Sequence, residues 1–486
     1  MGVRLSQLVA RELAVDPMIE GVTADSRKVK PGFLFAALPG TKADGLAFVP
    51  GAVSAGAAAV IATAEAPGVD VPFVVTPDPR RAYALAAAAF WKVQPATVVA
   101  VTGTNGKTSV AAFCRQIFNA GGHRAASMGT LGVYATGPDG FESELTPPTG
   151  LTTPDAADVT ELMSKLVAQG VTHLALEASS HGVDQRRLDG ARIQAAGFLN
   201  LTQDHLDYHL TMEAYRDAKL RLFTTLLPRG GTAVLNADSD AYDAFAAAAV
   251  TQGQSVMSVG QAGQGLTLVD QAPTPEGQRL TILAQGQTYE VNLPLVGGYQ
   301  ASNALVAAGL CIAAGEPVAG VMKALETLEG APGRLQLVGT GPEGGVAYVD
   351  YAHTPDGLET VLKALRPHVE GKLIVVFGAG GDRDRTKRPL MGAIAAKHAD
   401  LAIVTDDNPR SEDPAAIRAE VLAGTTGIQN IGDRRAAIRA GVALLEAGDV
   451  LVVAGKGHEQ GMAIAGVVHP FDDVTEVAQA LEALCG

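Results

Sequence analysis

One stretch constrains the architecture more than any other. The apolar run Ala96-Thr97-Val98-Val99-Ala100-Val101 leads directly into Thr102-Gly103-Thr104-Asn105-Gly106-Lys107-Thr108, and a helical pattern follows from Ser109 to Ala120. A strand that feeds a glycine-rich turn and then a helix belongs to an α/β fold. Such a turn aims backbone N–H groups and the positive end of a helix at one spot, and that spot suits phosphate. Lys107 would reach the terminal phosphates and the Thr108 hydroxyl would sit on a magnesium ion. The match to the common phosphate-loop pattern is imperfect, because that pattern needs glycine where Val101 stands. The plain alternative is an ordinary strand-to-helix connection with an exposed lysine.

At 486 residues the chain is too long for one core, and about three domains are expected. A formal net charge of -14 argues against nucleic-acid binding, since no broad basic surface would hold a phosphate backbone. Any anionic ligand must therefore be met by local basic groups. Cys114, Cys311 and Cys485 lie far apart without metal-site spacing, as in a reducing compartment. Met1 to Leu5 lacks the apolar stretch of a signal peptide, and alanine-rich segments such as 52–64 are too short to cross a bilayer. A cytoplasmic protein without membrane insertion is expected.

Strand-like and helical runs alternate, which predicts α/β domains with largely parallel sheets. Three segments are expected: 1–94, 95–330 and 331–486, with breaks at Gln94-Pro95 and at Gly330-Ala331-Pro332-Gly333. The Gly/Gln-rich stretch from Gly253 to Gly286 reads as hairpins or a peripheral insert. After residue 331, apolar runs at 346–350, 373–377, 401–404 and 450–453 predict a second parallel sheet, giving a central phosphate-loop sheet flanked by an N-terminal α/β domain and a Rossmann-like C-terminal domain.

Several polar residues follow these strands. Glu177 ends Leu174-Ala175-Leu176 and could bind magnesium through one oxygen, or could simply cap or order its loop. Asn200 to His209 packs two aspartates and two histidines together, with His205 the better metal ligand. Lys219, on a helix expected from Glu213 to Leu227, reads by spacing alone as a solvated lysine. Arg186 and Arg187 could meet an anionic substrate or be surface charges. Three further loops, Gly378–Asp384, Asp406–Arg410 and Gly455–Glu459, each follow a strand and so share one sheet edge. Their guanidinium, amide and carboxylate groups suit a zwitterion such as an amino acid.

In combination, Thr102–Thr108, Glu177–Gly182, Asp204–His209, Tyr351–Asp356, Gly380–Asp384 and Asp407–Arg410 resemble the Mur ligases, in order and over nearly the whole chain. Within that family the resemblance is to members that add the third residue to a UDP-muramoyl dipeptide. It implies that Ser26 and Arg27 contact the uridine part of that substrate, and that Thr152, Thr153, Ser179, Gln185 and Arg187 hold the muramoyl dipeptide. ATP would lie on Gly103, Thr104, Asn105, Gly106, Lys107, Thr108 and Ser109, with Asn303, Arg334, Asp350 and His353 also serving it. Thr108, Glu177 and His205 would serve magnesium, and Lys219 would be carbamylated as a ligand for a second magnesium. Lys107, Lys219 and His353 would be catalytic. Arg383, Asp407, Asn408, Arg410, Gly455 and Glu459 would bind the incoming amino acid.

The implied reaction is ATP-dependent amide formation through an acyl phosphate, carried out by a monomer on small-molecule substrates during peptidoglycan synthesis. The loop Asp407-Asn408-Pro409-Arg410 points to meso-diaminopimelate, whose distal carboxylate Arg410 could pair bidentately. L-Lysine or L-ornithine remains the alternative. The rivals are another ligase of the superfamily, such as a folylpolyglutamate synthetase, against which Asp25-Ser26-Arg27 and the muramoyl-site residues weigh, and a nucleotide-binding switch without ligase chemistry.

Overall fold

In a computed structural model of the chain, residues 2–40, 44–146, 151–274 and 277–485 are described. The chain forms two compact units: residues 1–267 with 305–321, and residues 268–304 with 322–486. Compactness groups residues by contact, so the first two expected segments fall largely within one unit.

The first unit opens with a small parallel sheet, β1 (Gly21–Thr23), β2 (Phe33–Ala36), β3 (Ala59–Ala62) and β4 (Phe73–Val75), in that spatial order. Helix α1 (Pro79–Trp91) follows, its first turn closed by the Asp78 carboxylate accepting from the Arg81 N–H. The larger sheet contains β5 (Thr97–Thr102), β6 (Ala125–Gly129), β7 (Gly132–Thr136), β8 (Glu142–Thr146), β9 (His173–Glu177), β10 (Ala195–Phe198), β11 (Thr232–Asn236) and β12 (Ser255–Gly260). Its order is β8-β7-β6-β9-β5-β10-β11-β12, with the β8–β7 and β7–β6 pairs antiparallel and the other pairs parallel.

Helices α2 (Lys107–Ala120), α3 (Ala156–Ala168), α4 (Ser180–Asp184) and α5 (Met212–Arg221) connect these strands. The middle residues of the central strands are apolar because helices cover both of their faces. Val98, Leu174, Phe198 and Phe245 lie in one core, with Phe198 stacked on Phe245 at 3.7 Å between ring centroids. Burying each such side chain contributes about 1.5–3 kcal/mol.

The helix expected from Glu213 to Leu227 is shorter. It ends at Arg221 and widens into a π-type turn, Leu222–Leu226. Pro228 pushes Leu227 to extended backbone, which a continuing helix would forbid.

The strand Leu266–Thr274 carries the chain into the second unit, where β13 (Gly277–Ala284) and β14 (Gln287–Leu293) form an antiparallel hairpin, as the turn-rich composition suggested. The helix Gly298–Ala313 follows. The second sheet is built from β15 (Gln336–Thr340), β16 (Val346–Asp350), β17 (Leu373–Phe377), β18 (Leu401–Val404), β19 (Ile428–Asn430) and β20 (Val450–Ala454). Their order is β15-β16-β20-β17-β18-β19, parallel except at β15. The carboxyl ends of β17, β18 and β20 therefore share one edge. Among the described residues no helix is long and apolar enough to span a membrane.

Candidate active site

The phosphate loop lies where three strand ends meet. Central β5 is flanked by β9 on one side and β10 on the other, with Glu177 in register with Val101 and Phe198 with Thr102. Residues that follow β9 and β10 are thus delivered beside the loop that follows β5. Gly106 adopts φ 89° before α2, a left-handed conformation that glycine enters without steric cost.

Asn200, just after β10, closes the loop: its Oδ1 accepts from the backbone N–H groups of Thr104 and Asn105 at 3.1 and 2.9 Å. Lys107 Nζ donates to the carbonyl oxygens of Gly103 and Thr104 at 2.9 and 2.8 Å, so its charge is held over the loop. Ser109 is buried in the first turn of α2.

Glu177 is buried at the end of β9. Its carboxylate accepts from the Thr108 hydroxyl at 3.1 Å and from the Thr130 N–H at 2.9 Å. The seat exists because Gly129 has no side chain; a Cβ there would overlap the Glu177 carboxylate.

Lys219 corrects the reading by spacing. It is not a solvated helical lysine but is 1% exposed, with Nζ donating to the Gly103 carbonyl at 2.7 Å and lying 4.4 Å from the Tyr215 ring centroid. Burial, aided by the nearby Lys107 charge, pushes its pKa well below the ordinary lysine value.

His205 is more open. Its backbone is left-handed, φ 52°, its Nε2 lies 3.4 Å from the Asp204 carboxylate, and its ring packs edge-on against His181. The Asp207 side chain lies outside the described residues.

The muramoyl-site candidates form one hydrogen-bonded group. The Thr153 hydroxyl lies 2.9 Å from that of Ser179 and donates to the Glu177 carbonyl at 2.8 Å. Arg187 donates to the Thr153 carbonyl and to Gln185 Oε1, both at 2.7 Å, and Thr152 meets Thr130 at 3.1 Å. By contrast Arg186 ties α4 back to Asp78 at 3.1 Å.

Ser26 and Arg27 line a separate cavity of about 1100 Å³, together with Asp25, Phe48, Tyr83 and Asp155. There the Arg27 guanidinium holds the Asp25 carboxyl down at about 2.

In the second unit, Asp350 ends β16 fully buried. It accepts the N–H groups of Leu335 and Ala352, both at 2.7 Å, yet burial still raises its pKa. Arg334 lies 4.6 Å from the Tyr351 ring centroid, and His353 Nδ1 meets the Tyr351 carbonyl oxygen at 2.8 Å. Asn303 is buried and bonded to Gln300 at 3.0 Å.

The three loops beyond β17, β18 and β20 do converge. Asn408 Nδ2 donates to Glu459 at 2.7 Å, and Gly455, at φ 123°, leaves room for Asp407, whose Oδ2 would stand 2.7 Å from a Cβ. Arg410 donates to the Gly381 carbonyl at 2.7 Å, and its backbone is clamped between Ala463 and Ala465. Among the described residues no carboxylate pairs with Arg410. Arg383 stays exposed at the rim, outside this bonded group.

Sequence reasoning assigned no role to Asn200, Thr130, Tyr215 or Lys456. Lys456 is fully buried and links Glu459 at 3.0 Å with Asn408 at 3.2 Å. A lysine between two glycines after a buried strand was the available signal for it. Thr130 carried none, because its role depends on a neighbouring strand.

Against known proteins, three family descriptions match in chain order: "Mur ligase family, catalytic domain" over residues 18–91, "Mur ligase middle domain" over 101–311, and "Mur ligase, glutamate ligase domain" over 333–457. A Caulobacter vibrioides protein named UDP-N-acetylmuramoyl-L-alanyl-D-glutamate–2,6-diaminopimelate ligase is 70% identical over 480 residues, 99% of each chain. The Agrobacterium fabrum protein of the same name is 52% identical over 96% of this chain and 94% of its own. A solved structure of a ligase of that name superposes with a TM-score of 0.75 at 36% identity, covering 100% of both chains. The resemblance carried by the motifs is thereby borne out, and the chain belongs to the Mur ligase family.

Proposed function

We propose that the chain is the ATP-dependent ligase that joins meso-diaminopimelate to the γ-carboxylate of UDP-N-acetylmuramoyl-L-alanyl-D-glutamate. The observation that carries the reading is the junction of β5, β9 and β10. It sets a phosphate loop, a buried carboxylate and a buried lysine against one another, next to a hydroxyl- and guanidinium-lined group suited to a peptide acid. Segments 1–94, 95–330 and 331–486 then serve the uridine end, the nucleotide and the amino acid in turn.

The difficulty in the chemistry is that a carboxylate must attack a triphosphate of the same charge sign. Lys107 and the α2 N-terminus offset that repulsion and stabilise charge on the transferring phosphoryl group. Arg187 and the Thr153–Ser179 hydroxyls orient the attacking acid. The carboxylate oxygen takes the γ-phosphoryl group, ADP leaves, and the amine then displaces phosphate from the acyl carbon.

Magnesium fits the donors present, because Thr108 and Glu177 offer buried oxygens, which a hard cation prefers. When bound there it would screen phosphate charge. Burial that lowers a lysine pKa favours the free amine that carbamylation by carbon dioxide needs, and the product would turn Lys219 into an anionic oxygen donor. His205 would complete this group.

Arg410 supports diaminopimelate over lysine or ornithine. Among the described residues its guanidinium is hydrogen-bonded by backbone carbonyls alone, which leaves the charge for a substrate carboxylate. The test is ADP release by purified protein with each substrate omitted in turn. Release that needs both the muramoyl dipeptide and diaminopimelate, with a lengthened peptide formed, upholds the reading. Release indifferent to the amine overturns it in favour of a nucleotide switch.

A further inference from the structure

We propose that His123, His173 and Glu316 form a binding site for a zinc-class divalent metal ion, which staples the end of α2 to the start of β9 and to the turn after the helix ending at Ala313. These three are the one group of histidine, cysteine or acidic residues, among those described, whose donor atoms all lie within 4.8 Å of one another. None of them takes part in the ligase chemistry. α2 starts at the phosphate loop and runs 14 residues, so the group lies about 20 Å from it, at the opposite end of the sheet.

The chain delivers each ligand by a specific device. Gly122, at φ 91°, turns the backbone after α2, and the His123 N–H closes back on the Phe118 carbonyl at 3.0 Å. Gly315, at φ 109°, does the same after the second helix, where the Glu316 N–H bonds the Cys311 carbonyl at 3.0 Å. Gly121 lets the Glu316 carboxylate approach, since a Cβ there would collide with it. His173 is the first residue of β9, 8% exposed and packed on Phe118.

Two features favour a metal over a simple ion pair. The first is the outer partner of His173. Its Nδ1 is 2.8 Å from the Thr172 hydroxyl. When that hydroxyl accepts from Nδ1–H, Nε2 is left with the lone pair, as in ligand histidines held by an outer partner.

The second is charge. A carboxylate stands where two helices end, and both ends carry partial negative charge, so a cation is favoured there. The imidazoles of His123 and His173 lie 3.9 Å apart, centroid to centroid, and His123 Nε2 is 3.0 Å from Glu316 Oε1. Ligand atoms around tetrahedral zinc stand about 3.4 Å apart, so shifts of about 1 Å would close the site. Two imidazoles and one carboxylate select zinc-class ions over magnesium, and the half-exposed His123 leaves a solvent path for entry and a fourth ligand.

The test is titration of the chelator-treated full chain with Co2+ and Zn2+, alongside Glu316→Gln and His123→Ala. A second imidazole cluster, His181, His205 and His209, is present in all three proteins, so binding there cancels in the comparison. The expected result is one more bound equivalent in the parent than in either variant, with an intense tetrahedral Co2+ band that both variants lose. The affinity of this site should fall at least about 100-fold in the variants, and about 10- to 100-fold in Thr172→Val. Zn2+ should raise the melting temperature of the parent by more than that of either variant, and ligase turnover of Glu316→Gln in magnesium should match the parent. Equal stoichiometry and equal spectra in parent and variants overturn the proposal. His123→Ala changes a half-exposed side chain, so that arm stands even if Glu316→Gln folds poorly.

Discussion

Lys219 Nζ donates to the carbonyl oxygen of Gly103 at 2.7 Å, so the side chain of a helix 116 residues downstream is anchored on the phosphate loop itself. The amine is buried against Tyr215, and its pKa is pushed well below the ordinary lysine value by that burial and by Lys107. Lys219→Met keeps the side-chain length and removes the amine. The fold should survive, with a melting temperature within a few degrees of the parent, because the costly buried amine is lost along with one hydrogen bond. Turnover should fall on the order of 10²–10³-fold. Differential scanning calorimetry and steady-state phosphate release check the two halves, and near-parental turnover would remove Lys219 from the reaction.

Lys107→Ala should reduce kcat by a similar factor of roughly 10²–10³, since it deletes a side-chain charge held over the loop carbonyls of Gly103 and Thr104. Circular dichroism of the variant should match the parent. Burst kinetics with ATP and the muramoyl dipeptide would place the loss at the phosphoryl-transfer step.

Gly129→Ala probes the seat of Glu177 without touching the carboxylate. The added methyl would occupy the space the carboxylate fills, forcing it off Thr108 and Thr130. A stability loss of about 1–3 kcal/mol is expected. The magnesium concentration needed for half-maximal activity should also rise. Unchanged magnesium dependence would mean that Glu177 serves the loop alone.

Arg410→Ala should weaken diaminopimelate use by on the order of 10²-fold in kcat/KM, and should narrow the gap to lysine rather than depress both equally. An amino-acid panel reads this directly. An equal loss with every amine would assign Arg410 to holding the loop through Gly381.

Acid should weaken the second unit through Glu412. Arg388 is fully buried and pairs with Glu412 at 2.7 Å and Glu420 at 2.8 Å. Its hydrogen bonds to Glu412 hold that carboxyl at about 2 against an ordinary 4.5. A depressed carboxylate contributes stability that is complete above pH 4.5 and is lost as pH falls through 2. Glu412→Gln should flatten this part of the acid-unfolding curve; an unaltered curve would locate the acid sensitivity elsewhere.

Much of the fold was legible because its signals are local. Apolar runs of strand length followed by helical patterns made parallel sheets the economical reading, and three loops after three parallel strands had to share an edge. The phosphate loop was legible for the same reason, being strand, turn and helix in one stretch. Lys219 was not, because a helix surface position reads as solvated until the strand it packs on is known. Thr130 and Asn200 were hidden likewise: each acts across a strand boundary on a residue at least 47 positions away.

Residue order alone determined the α/β class, the phosphate loop and the family to which the motifs belong, since each depends on side chains close together in the chain. Which buried amine meets which carbonyl, which glycine makes room for Glu177 and which two histidines meet Glu316 were decided only in three dimensions. Desolvation and close packing act between neighbours in space, and a β-sheet makes neighbours of residues that the chain keeps far apart.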